Sequence, residues 1–273
     1  MEVGERYLVS NDLNIYDELM NEFYDKKLNN KAEVNSLFLI VNNGLNSDDE
    51  RIKKIYEQIF NIKRIEPRFN VFFSTKMSSA YLSNFKALNI NKDDIQNYLI
   101  LSHEYGHAMF DILLNKKVPE EYGTIMEIAK KHALTSNNIN FNYGSLNVQN
   151  AKFRDLIEYI CDKSNKESLE SVGPFSDIIS SMWQTGGFKN SKGDPFILPF
   201  SHPRETYFDN ENHIKYDVIF DEQFANFFAL KSTNSNEALE TLKNLFGVEW
   251  YNFMDKNIDL MYDMINNNSK LSV

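Results

Sequence analysis

Cysteine is almost missing from this chain. Cys161 stands alone among 273 residues, so neither an intramolecular disulfide nor a cysteine-rich zinc module can form. A chain this long can hold a core without such staples, and a single thiol fits a reducing compartment. Cys161 falls in an apolar helical pattern with Leu156, Ile157 and Ile160, which predicts a buried, inert side chain. Basic charge is scarce too: 29 Lys+Arg face 39 Asp+Glu, for a formal charge of −10. An acidic surface repels nucleic-acid phosphate and anionic lipid, so neither is an expected partner. No apolar run approaches the roughly 20 residues of a membrane span. Met1-Glu2-Val3-Gly4-Glu5-Arg6 offers no basic n-region and no apolar stretch after it. The expectation is a soluble protein, cytoplasmic or exported by some route other than the general signal peptide. A P-loop, a dinucleotide glycine fingerprint and a Gly-x-Ser-x-Gly elbow are also absent.

What is present suits a globular protein: 42% hydrophobic residues, 21 Phe, 14 Tyr, and 25% charged residues. Apolar spacing predicts helices over 14–29, 48–60 behind a Ser47 cap, 95–114, 119–133, 151–163, 174–183, 218–231, 236–246 and 249–267. Short strands are expected at 37–41 and at Val71-Phe72-Phe73, while 77–88 fits a helix better than a strand. Asn91 reads as the cap of the 95–114 helix, and 135–150 as an Asn-rich loop. Residues 184–204 are rich in Gly and Pro and read as a long loop. An N-terminal α/β part, 1–90, and a mainly helical part, 91–273, would form one continuous α+β domain.

The 95–114 helix carries His103-Glu104-x-x-His107. Residues four apart lie on one helix face, so two imidazoles can close on one metal ion. Glu104, next round the helix, can take a proton from a water at that ion. From Tyr98 to Leu114 the only polar residues are Ser102, His103, Glu104, His107 and Asp111. Such a helix is buried, and burying these groups is costly unless they share a partner such as a metal. Catalytic zinc takes three protein ligands. Leu113 stands where an all-histidine continuation would need its third histidine, so a carboxylate on a later helix is expected. Glu222, on the apolar helix Phe220 to Leu230, is the best candidate. Small Ala225 would allow close helix approach there, and Asn226 could orient a ligand histidine.

His103-Glu104-Tyr105-Gly106-His107-Ala108, followed by Glu222-x-Phe224-Ala225-Asn226-x-Phe228-x-Leu230, resembles the glutamate-ligand zincins. Within them it looks like the catalytic domain of anthrax lethal factor and the zincin domains of bacterial polymorphic toxins. Ser232-Thr233, and Phe253 and Met254 in the last helix, are compatible. The resemblance implies a mainly helical zincin-like metallopeptidase fold with a small sheet. It implies Zn2+ on His103, His107 and Glu222, Glu104 as general base, a protein or peptide substrate, and an effector or toxin context. The spacing from His107 to Glu222 is longer than in lethal factor, and Asn226 stands where that group often has a carboxylate. Two other readings share the fold: a silent binding or structural module, which an intact Glu104 disfavours, and an intracellular regulatory protease.

The inserted region has candidates of its own. Asp177, in Ser176-Asp177-Ile178, could support the ligands from behind, serve as the third ligand, or be a solvated helix-start residue. An oxyanion donor is expected among His202, Tyr207 and Tyr216; Tyr216 is one position away from the lethal-factor tyrosine, whose place Lys215 takes. His132 and His213 read as surface residues. Val71-Phe72-Phe73 could be an edge strand on which an extended peptide pairs.

Overall fold

In a computed structural model, the chain is described at residues 43–60, 70–74, 78–85, 87–94, 97–115, 117–143, 146–164, 173–183, 202 and 206–270. The expected helix at 14–29, the strand at 37–41 and most of the 184–204 loop lie outside these residues, as does the side chain of Cys161.

The described chain is a mainly helical α+β structure. The helices are α1 (Glu50–Phe60), α2 (Tyr98–Leu114), α3 (Tyr122–Thr135), α4 (Phe153–Ser164), α5 (Gly173–Trp183), α6 (Tyr216–Ser232), α7 (Asn236–Phe246) and α8 (Val248–Lys270). Strands β1 (Asn70–Ser74), β2 (Ala80–Leu82) and β3 (Ala87–Asn91) form one sheet in the order β1-β3-β2. β1 runs parallel and β2 antiparallel to the central β3. Strands β4 (Ile139–Tyr143) and β5 (Leu146–Ala151) make an antiparallel hairpin.

Two expectations about local structure fail. The described residues of the 77–88 segment do not form a helix: they hold β2, a 3-10 turn and the start of β3. The Asn-rich segment is the β4–β5 hairpin, in which Ile139 and Phe141 point into the core and Asn140 points out. This alternation is the strand pattern, and it outweighs the low strand propensity of asparagine. The start of α2 also moves. Asn91 ends β3 and accepts the Asp93 N–H, while Asn97 is the cap, its side chain accepting from Ile100 N at 3.2 Å. At the other end Asn115 takes the left-handed conformation, φ 50°, and its N–H closes on Phe110 O.

Helices α2 and α6 form the centre of the molecule. A Cβ at Gly106 would lie 2.7 Å from Ala225 Cα, so only glycine lets the two backbones come this close. Aromatic rings fill the space on either side. Tyr56 stacks on Tyr105 with centroids 4.7 Å apart, and Phe220 meets Phe110 at 5.1 Å and Tyr122 at 5.0 Å. Gln223, beside Glu222, accepts from the indole of Trp250 at 3.0 Å and so fixes the rotation of α6 against α8. No described helix is long and apolar enough to cross a membrane.

Candidate metal centre

The close crossing of α2 and α6 brings three acceptor atoms to one point. His103 Nε2 and His107 Nε2 are 3.1 Å apart, and Glu222 Oε2 lies 3.8 Å from the first and 3.6 Å from the second. Ligands about 2.0–2.1 Å from a tetrahedral ion are separated by about 3.3 Å, so this triangle can hold one metal ion. The arrangement of donors and acceptors suits a cation there. His107 Nδ1 is 2.7 Å from Asp221 Oδ1, and a carboxylate only accepts, so Nδ1 carries the hydrogen and, in the neutral ring that a metal would select, Nε2 presents a lone pair. Glu222 Oε2 is fully buried and receives no hydrogen bond from the described residues. Acceptors facing one another are costly unless a proton or a metal ion sits between them.

Electrostatics without an ion reflect the same crowding. Burial pushes the His103 imidazole down to about 3, and neighbouring His107 adds to this. Burial also opposes a proton on His107, but Asp221 and Glu222 outweigh it and raise that group well above its ordinary value. Burial would raise Glu222, yet His107 and the other imidazoles hold it well below the usual carboxylate range. Glu104 is raised to about 7 by burial, against the pull of His107. Its Oε2 accepts the backbone N–H of Tyr81 in β2 at 2.8 Å. The phenol of Tyr81 donates to Asp111 Oδ2, one turn beyond His107, at 2.6 Å. Strand β2 is thus tied to α2 at two points.

His103 and Glu104 open on a cavity of about 380 Å³ that Ser78, Ser79, Asp94, Asp177, His202 and Asn226 also help to line. The sheet edge beside this cavity is therefore β2 with the residues before it. The Val71–Phe73 strand, β1, is an edge too, but on the opposite side of β3.

The remaining candidates separate clearly. His202 lies at the cavity, its Nε2 3.4 Å from Glu222 Oε1, and this contact raises its imidazole to about 9. Asp177 is buried on α5 rather than solvated, and burial together with Glu222 raises it well above the ordinary range. Tyr207 is fully buried behind His202, with ring centroids 6.3 Å apart and its hydroxyl 3.4 Å from Ser180 Oγ. Tyr216 is not brought to the cluster. It starts α6, is 40% exposed, and packs against Tyr122 and Gly123. Asn226 has partners beyond the expected histidine: its amide donates to Asp177 Oδ2 at 2.6 Å and to Glu222 O at 2.8 Å, and its side chain also lies against His103. The residue that orients a histidine is Asp221, which the sequence reading missed. Its one signal was an acidic residue directly before the glutamate on an otherwise apolar helix. His213 and His132 are both exposed, as expected: His213 is bonded to Asp209, and His132 lies beside Gly247 and reaches Asn244 O at 3.2 Å.

Compared with protein-family models, with curated proteins and with solved structures, the chain finds no match.

Proposed function

We propose that the chain is a zinc-dependent peptidase of the glutamate-ligand zincin class, acting on a protein or peptide. The observation that carries this reading is the convergence of His103, His107 and Glu222 on one point, with Glu104 of the same helix facing the adjoining cavity. Nitrogen and carboxylate donors in a three-ligand set suit zinc with one position left open. A zinc ion held there supplies a Lewis acid that acidifies water and polarises a carbonyl.

The chain's own residues do the rest. Glu104 takes the proton from the attacking water and passes it to the departing amine. Asp221 holds the His107 ring in the tautomer that presents Nε2. Positive charge for the developing oxyanion comes from the His202 side of Glu222. An extended peptide pairs beside β2, where Ser78 and Ser79 border the cavity.

The test is Glu104→Gln. The variant should keep zinc at the wild-type stoichiometry and lose cleavage, read as new N-termini in a proteome incubated with each protein. Full cleavage by the variant overturns the mechanism. Zinc binding without cleavage by the wild type would mark the chain as a silent binding module of the same fold.

A further inference from the structure

Glu222 has two carboxylate oxygens, and they face different donor sets. Oε2 belongs to the His103–His107 triangle. Oε1 faces His202 Nε2 at 3.4 Å, and His202 Nε2 in turn lies 3.9 Å from Asp177 Oδ1. Asp177, His202 and Glu222 form a second group whose ligand atoms all fall within 4.8 Å of one another. The two contacts of His202, 3.4 and 3.9 Å, resemble those of the first triangle.

The second group is built into the structure. Asp177 is only 6% exposed, on α5, and its Oδ1 is fully buried without a hydrogen bond from the described residues. Its other oxygen is held by the Asn226 amide, which also donates to the Glu222 backbone carbonyl, so one side chain ties Asp177 to the helix that carries Glu222. Two buried carboxylates set side by side repel unless a proton or positive charge lies between them, and a divalent cation would supply that charge with His202 as a neutral ligand. His202 also lines the cavity and is the most exposed of the three, so an ion has a way in.

We infer that Glu222 bridges two divalent cations, the first on His103 and His107 and the second on Asp177 and His202. This rests on the zinc-hydrolase reading for the first ion and extends it. A carboxylate bridge sets the two ions roughly 3.5–4 Å apart, the separation used by two-metal hydrolases to hold both oxygens of a reacting centre. The positive charge on the His202 side of Glu222 is then an ion with His202 as its ligand, and the ion rather than a lone imidazolium faces the oxyanion. Mixed nitrogen and oxygen donors suit zinc or manganese at this position.

The experiment is a titration of chelator-stripped full-length protein with Zn2+ alone, with bound metal counted by elemental analysis. Wild type should take two equivalents. Asp177→Ala and His202→Ala should each take one, and His103→Ala should lose the other. His202 is half exposed, so its variant reports even if a change at buried Asp177 harms the fold. Loading with Mn2+ adds a readout independent of activity: wild type should give an exchange-coupled two-ion EPR signal, and His202→Ala the signal of an isolated ion. One equivalent in wild type, unchanged in His202→Ala and lost in His103→Ala, overturns the second site and leaves the first. No bound zinc in wild type removes the reading beneath both.

Discussion

Asp221 sets the geometry of a neighbour rather than touching the converging point itself. By taking the Nδ1–H of His107 at 2.7 Å it fixes both ring orientation and tautomer. Removing such a carboxylate typically weakens metal binding about 10–100-fold. Asp221→Asn should therefore bind Zn2+ 10–100-fold less tightly in competition with a chromogenic chelator, with an unchanged circular dichroism spectrum. Unchanged affinity would mean that His107 is held by something else. At this scale legibility divides by range. His103, Glu104 and His107 are three neighbours on one helix, and their spacing alone shows a shared face. Asp221 acquires its meaning only from the angle at which α6 meets α2, and no local pattern encodes that angle. The chain separates it from His107 by 114 positions.

Between elements, the closest control is the Gly106–Ala225 contact. A methyl group at Gly106 would meet backbone at 2.7 Å, so the helices must move apart. Overpacking of this kind costs about 1–3 kcal/mol. Gly106→Ala should lower the melting temperature and also weaken zinc binding, because Glu222 rides on the displaced helix. A stability loss with unchanged zinc affinity would show that the triangle tolerates the shift. A second tie joins α1 to α8 and α6. Arg51 reaches Asp255 at 2.9 Å and Asp259 at 2.7 Å, and Lys231 of α6 reaches Asp255 at 2.8 Å and Asp49 at 3.3 Å. Burial opposes ionisation of Asp49, but Arg51 and Lys231 outweigh it and lower its carboxyl from 3.8 to about 2. A lowered carboxylate stabilises the fold fully above its unfolded value and loses that contribution as pH falls through the folded value. Melting temperature should thus fall between about pH 4 and pH 2, and Asp49→Asn should flatten that part of the curve. An identical acid limb in the variant would exclude Asp49 as its source. The helices of this layer were legible because their apolar residues repeat at helical spacing. The strands were not. β2 spans three residues, too few to establish a period, and the β4–β5 hairpin is written largely in asparagine, whose propensity hides the alternation of Ile139 and Phe141.

Across the whole molecule, an ion at His103, His107 and Glu222 would join two central helices from distant parts of the chain. A ligand that binds only the folded state stabilises it by about 2.7 kcal/mol at 100 times its dissociation constant. Zinc should therefore raise the melting temperature of stripped protein and a chelator should lower it, with Glu104→Gln responding as wild type does. A melting temperature indifferent to zinc would exclude tight binding at the crossing. The α+β, mainly helical character of the molecule could be read from composition and periodicity, since burying so many aromatic residues on helical spacing leaves few other solutions. The pairing of β1 with β3 and the side of the sheet that borders the cavity could not, because both depend on long-range contacts.

Strand β2 holds Glu104 through the backbone N–H of Tyr81, not through a side chain. Every amino acid except proline supplies that group. The side chains of Ala80 and Leu82, unlike the Tyr81 phenol bound to Asp111, are therefore free to diverge under selection for different substrates while the strand's grip on Glu104 persists. Variation at positions 80 and 82, with proline excluded at 81, is the mark such a division of labour would leave among descendants of this chain.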